Sequence, residues 1–132
     1  MSAGEYGTRL REVSKDVLAF HEKYGHPTEG VLGRMFPSAF RMRLIDEEKD
    51  EMAIGLMTGD PVETLDGAID LIYVILGTLI ACGFRPPDIE RAWWAVHESN
   101  MKKVPNGSEK PSKPDGWTPP DLSFAKRVVR DA

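Results

Sequence analysis

Two groups of acids in this sequence could hold a divalent cation. Asp46, Glu47, Glu48, Asp50 and Glu51 crowd one short segment. Asp66 and Asp70 stand in the segment that follows, which is otherwise almost wholly apolar (LDGAIDLIYVILGTLIAC). On a helix, Glu48 and Glu51 lie one turn apart on one face, as do Asp66 and Asp70. Like charges at such spacings destabilise a bare helix by a few tenths of a kcal/mol per pair. The acidic segment is therefore either a solvated face, partly neutralised by Arg41, Arg43 and Lys49, or half of a cation site. Asp70 poses the choice more sharply. A charged, unpaired carboxylate among apolar side chains costs several kcal/mol. It needs an arginine, a tyrosine or a cation beside it. Carboxylate oxygens without Cys or His suit Mg²⁺, with Mn²⁺ also possible, rather than zinc or copper. Magnesium held this way completes its shell with water and substrate phosphates.

Other chemistries fit less well. A di-iron bundle also gathers acids between helices, but it uses Glu-x-x-His pairs. Neither His21, His26 nor His97 has a Glu three residues before it. There is no GxxxxGK[ST] loop for phosphates and no serine nucleophile elbow. The single cysteine, Cys82, excludes an internal disulfide and a Cys-rich zinc site. It reads as a small core residue. Asn100, Lys102 and Lys103 close one helix, and Lys110 and Lys113 follow in the tail. A lysine near the metal would bind phosphate oxygens, although solvent exposure is the better reading for Lys102 and Lys110.

These residues must be positioned by helices. Leu10, Val13, Val17, Phe20 and Tyr24 recur every three or four residues, which predicts a first helix over about 6–24, stopped by Gly25. The segment HPTEGVLGRMFPS reads as a loop. A second helix is expected from Ser38 to Met57, burying Phe40, Leu44, Ile45, Met52 and Leu56. Asp60, Pro61 and Glu63 form an N-terminal signature of capping acid, first-turn proline and third-position acid. The third helix then runs to about Cys82, apolar around most of its circumference, which suits a central element or an oligomer interface. Pro86, Pro87 and Asp88 open a fourth helix to about Met101, with Ile89, Ala92, Trp93, Val96 and Asn100 on one face. No strand is expected. From Lys102 the chain is rich in Pro, Gly and Lys and reads as a flexible surface segment, followed by a short helix over about 122–129 carrying Phe124 and Val128.

The expected fold is an all-α bundle of four to five helices in one domain. Residues 1–103 form the bundle and 104–132 a C-terminal segment belonging to it. The 132 residues suffice for a core, and 41% hydrophobic with 29% charged content is ordinary for a globular chain. A net charge of −4 argues against general nucleic-acid binding. The N-terminal stretch MSAGEYGTRLREVSKD has no apolar run, so no signal peptide is expected. The longest charge-free run, Leu71 to Phe84, is short for a bilayer span. A soluble cytoplasmic protein without a membrane partner is the expectation.

The ordered segments resemble those of the all-α nucleoside triphosphate pyrophosphohydrolases. These include the MazG family, the dimeric dUTPases and phosphoribosyl-ATP pyrophosphohydrolase. Their ExxE is Glu48-Lys49-Asp50-Glu51, preceded by Glu47 in the EExxE form. Asp70, in LDGAIDLIYVILGT, is the acid of their second motif, ExxD. FHEKYGHP, RLIDEE and VHESNMKK match further segments, and KPSKPDGWTPPDL resembles the ending of the MazG-like dUTP pyrophosphatase branch. The similarity spans about residues 13–122. One position departs: the Glu of ExxD falls on Gly67, and Asp66 or Glu63 could replace it, Asp66 being the better candidate by reach.

The resemblance implies Mg²⁺-dependent hydrolysis of a nucleoside triphosphate, dUTP or a related dNTP, to the monophosphate and pyrophosphate. It implies Glu48, Glu51 and Asp70 as metal ligands, with Asp66 and Glu47 as further ones, and Glu47 and Glu48 as catalytic acids. Asn100 and Lys103 would contact substrate. Lys113 and Trp117 would bring the tail over it, or Trp117 would only dock the tail on the bundle. A homodimer or homotetramer is implied. Gly67 also leaves open a degenerate member that binds nucleotide or metal without turnover.

Overall fold

Capping chemistry sets the helix boundaries. The computed structural model describes residues 3–30 and 36–128, and among these it contains α1 (Ala3–Tyr24), α2 (Ser38–Thr58), α3 (Pro61–Ala81), α4 (Pro86–Met101) and α5 (Ala125–Val128). Gly59 ends α2 in the left-handed region at φ 71°, where a side chain would be strained, and its N–H reaches back to the Gly55 carbonyl. One residue on, the Asp60 carboxylate accepts from the N–H groups of Val62 and Glu63 at 3.0 and 3.1 Å. Pro61 occupies the first helical position, where its missing N–H costs nothing. The α2–α3 turn is thus built from two residues with opposite jobs. At α4 the Asp88 carboxylate accepts from the Arg85 N–H at 2.8 Å. The helices are those expected, and no strand occurs among the described residues. Val31–Met35 of the expected loop and Val129 of the expected last helix lie outside the described residues.

The helices pair as α2 with α3 and α1 with α4, and α1 also crosses α3. Val17, Leu76, Ile80 and Ile89 form the central core, with Leu10, Leu18, Leu79 and Phe84 packed on it. Phe36, Ala81 and Cys82 make a second cluster under the loop before α2. Arg11 of α1 and Glu90 of α4 pair across the first seam.

The buried face of α2 differs from the expected apolar stripe. Phe40 and Leu56 are 45% and 62% exposed, and the buried residues are Arg41 and Gly55. The reason is the closeness of α3. A β-carbon on Gly55 would lie 2.5 Å from the Thr64 nitrogen, and one on Gly67 would lie 2.6 Å from the Met52 nitrogen. Backbones this near leave no room for large side chains between them. Apolar side chains are displaced outward, and Leu65 and Ile69 of α3 stay 65% and 54% exposed. By length and mean hydropathy (1.7) α3 could cross a membrane, although its small residues pack on α2.

The tail is pinned rather than free. Val104 and Ser112 exchange two backbone hydrogen bonds of 2.9 Å. Inside that loop the Asn106 amide donates to the Lys110 carbonyl and the Ser112 hydroxyl. The Trp117 indole N–H donates to the Ser99 carbonyl at 2.8 Å, tying the tail to the end of α4.

Candidate metal centre

α2 and α3 bring three carboxylates to one point. Glu48 and Glu51 come from successive turns of α2 and Asp70 from α3. One oxygen of each lies within 4.8 Å of the others. Oxygens shared by one Mg²⁺, at bonds of about 2.0–2.1 Å, are at most about 4.2 Å apart. Small side-chain rotations would close the trio around an ion.

Lys49 turns to Asp46 and Asp50, at 3.4 and 3.8 Å. Among the described residues, no lysine or arginine pairs with Glu48, Glu51 or Asp70, and no tyrosine bonds Asp70. Oε2 of Glu48 is buried and has no hydrogen-bond partner. A buried, unpartnered carboxylate oxygen is costly unless something absent from the protein chain satisfies it.

The protonation behaviour has the same origin. Burial, then the Glu51 hydrogen bond, then the charges of Glu51, Asp70 and Asp66 push Glu48 up to about 7. Asp70 is raised by burial, then by Asp66 and Glu51. Glu48 and Asp70 are thereby held toward their protonated forms, which a cation would offset. Hard oxygen donors, mutual repulsion and an orphaned oxygen fit a divalent ion such as Mg²⁺.

The other sequence candidates lie around or away from this trio. Glu47 is exposed and outside it. Asp66 is exposed, lies beside Val62, Leu65 and Ile69 in a shallow surface hollow, and acts on Glu48 and Asp70 through its charge. Gly67 sits where α3 touches the backbone of Met52, so a glutamate there could not enter without parting the helices. Asn100 is exposed. Lys103 and Lys113 hold their ammonium groups 5.5 and 5.0 Å from the Trp117 ring centroid. These four substrate-binding candidates gather at the end of α4 and its tail, and none of their described contacts joins them to the acid trio.

Arg41, expected to help neutralise the acidic face, is instead buried with its hydrogen bonds on α3, and His21 is buried too. Arg41 is 6% exposed and His21 2%. Arg41 donates from Nε to the Thr78 hydroxyl and from Nη2 to the Val74 carbonyl, both at 3.0 Å. His21 donates from Nδ1 to the Pro27 carbonyl at 2.8 Å. Burial holds His21 below its ordinary value, and the Arg41 charge adds to this. The only local sign of either was its place in an amphipathic repeat, where a polar residue normally marks the outer face.

Residues 19–100, more than half of the chain, match the family model described as phosphoribosyl-ATP pyrophosphohydrolase. The match contains all three acids of the trio, His21 and Arg41. No curated protein matches the chain.

Proposed function

The chain belongs to the phosphoribosyl-ATP pyrophosphohydrolase family of MazG-like nucleotide pyrophosphohydrolases, and on that premise we propose that it cleaves a nucleoside triphosphate, dUTP or a related dNTP, to the monophosphate and pyrophosphate with Mg²⁺. The observation that carries this reading is the convergence of Glu48, Glu51 and Asp70 around an unpartnered buried oxygen. Mn²⁺ would fit the same donors.

Glu48, Glu51 and Asp70 would hold the ion, with Asp66 and Glu47 on its outer side. When bound, the ion would neutralise phosphate oxygens and acidify a water. Glu48 would hold the ion through one oxygen and keep Oε2, which has no partner in the chain, to accept the proton of an attacking water. Glu47 is the alternative base, reached from solvent. Asn100, Lys103 and Lys113 offer donors to base, sugar or phosphate, and Trp117 holds the two lysines in place. A substrate that meets the trio and these residues together would span from the α2–α3 seam to the tail.

A homo-oligomer is part of this proposal. Leu65 and Ile69 of α3 are exposed beside Asp66 and Asp70, and Ile72 and Ile75 continue the apolar face. A second copy covering that face would also exclude water from the acids. The non-catalytic reading rested on Gly67. Its packing against Met52 gives that glycine a structural reason of its own.

The test is incubation with Mg²⁺ and a panel of dNTPs, with detection of pyrophosphate. Release from at least one nucleotide, lost in Glu48→Gln, is expected. No release from any of them would sink the proposal, and thermal stabilisation by metal without turnover would favour the non-catalytic reading.

A further inference from the structure

α2 and α3 run antiparallel in a register that can be followed contact by contact. Arg41 touches the position of a Gly77 β-carbon with Nη2 at 2.8 Å, and donates to Val74 and Thr78 on either side of it. Seven residues further along α2 stands Glu48, and seven residues back along α3 stands Asp70, its partner in the acid trio. Next come Met52 against Gly67, and then Gly55 against Thr64. Each step up α2 is matched by an equal or nearly equal step down α3. The acid pair is thus flanked on one side by a backbone-to-backbone glycine contact and on the other by a buried guanidinium.

These two flanks do different work. Glycine contacts let the two backbones touch at Met52 and Thr64. The guanidinium is directional. Its fork meets one carbonyl and one hydroxyl, and the Thr78 hydroxyl also donates to that carbonyl, at 2.9 Å. A shift of one residue would move α3 by about 1.5 Å and turn it by about 100°. Arg41 would then be stranded without acceptors, and a buried cation without partners is strongly penalised. No carboxylate pairs with Arg41 among the described residues, so only the α3 backbone and Thr78 satisfy it. His21 of α1 closes the pocket from the other side, with Nε2 also 2.8 Å from the Gly77 β-carbon position.

We propose that Arg41 is a positioning residue for the acid site: its grip on Val74 and Thr78 over Gly77 sets the register that places Glu48 and Glu51 opposite Asp70. This rests on the reading of the trio as a cation site. None of Arg41's described hydrogen bonds goes to the acid trio. Arg41 acts about 10 Å away, two helical turns along α2, by fixing where the ligands meet.

The experiment measures Mn²⁺ affinity of the full-length chain by electron paramagnetic resonance, with melting of the metal-free protein followed in parallel. Arg41→Met should bind Mn²⁺ about tenfold more weakly while still folded at the temperature used. Arg41→Lys, which keeps a donor toward Val74, should recover part of the loss. Thr78→Val keeps the side-chain shape, removes the acceptor of Nε, and should weaken binding in the same direction. It reads the same relationship if Arg41→Met fails to fold. A folded Arg41→Met or Thr78→Val with lower melting temperature and unchanged Mn²⁺ affinity would overturn the proposal, because the residue would then be structural only. Failure of the wild-type chain to bind Mn²⁺ would overturn the cation reading itself and this inference with it.

Discussion

Gly67 lies flat against the backbone of Met52: a β-carbon on it would be 2.6 Å from the Met52 nitrogen and 2.8 Å from its α-carbon. The position where the resemblance places a second acid is here one of two close backbone approaches of α2 and α3, the other being Gly55 against Thr64. Restoring the acid should therefore harm the site. Gly67→Ala is expected to lose about 1–3 kcal/mol through overpacking, and Gly67→Glu at least as much. Both should bind Mn²⁺ more weakly than wild type. A Gly67→Glu variant with unchanged melting and tighter metal binding would show that the seam can open.

Glu48 provides a pH test. Folded, it keeps its proton to about 7; its ordinary value is 4.5. Between these values the folded chain binds the extra proton. The stability this group contributes is full below 4.5 and is lost as pH rises through about 7. His21, depressed by burial, acts in the opposite sense, its contribution being lost as pH falls. Comparing Glu48→Gln with wild type cancels the histidine. Without divalent ion, the variant should melt several degrees above wild type at about pH 8 and level with it at about pH 4. Added Mg²⁺ should raise wild type far more than the variant. Equal melting at the higher pH would contradict the crowding of the acids.

The same substitution should lower pyrophosphate release by at least about a hundredfold, since an amide neither ligates as a carboxylate does nor accepts the water proton. Chelation of the divalent ion should abolish release in wild type. Steady-state rates before and after chelation check both.

Asp60→Ala removes the acceptor for two N–H groups at the start of α3. A loss of about 1 kcal/mol is expected, seen as a lower denaturant midpoint with unchanged slope. Asp60→Ser should recover most of it, because a hydroxyl can cap the same position.

Trp117→Phe keeps an aromatic ring, though a smaller one, and deletes the N–H that reaches Ser99. Proteolysis within residues 104–118 should speed up while the bundle melts nearly as before. In the proposed enzyme, KM should rise with kcat little changed, the pattern of lost ground-state contacts. A changed kcat at constant KM would place the tail in the chemical step.

The helices were legible because their signals are local. Asp60-Pro61 opens α3 and Pro86-Pro87 opens α4 through backbone requirements that neighbouring residues satisfy. Gly59 closes α2 for the same kind of reason. Glu48, Glu51 and Asp70 could be singled out as a group because a crowd of acids and an acid within apolar sequence are unusual without a partner. Their meeting within 4.8 Å is a tertiary fact. The tail shows the limit of composition: KKVPNGSEKPSKPDGW reads as unstructured, and the bond from Trp117 to Ser99 crosses eighteen residues that carry no sign of it.

Sequence alone determined the helical period, the caps and which acids to group as candidate cation ligands, since each follows from residue type and short spacing. The tertiary structure decided which faces meet. It buried Arg41 in place of Phe40, turned Gly67 from an apparent gap in a motif into the contact that lets two backbones touch, and set the acids of α2 against Asp70. Those outcomes depend on the distance and register between helices, and an antiparallel register is fixed by contacts between residues far apart in the chain, which local spacing does not encode.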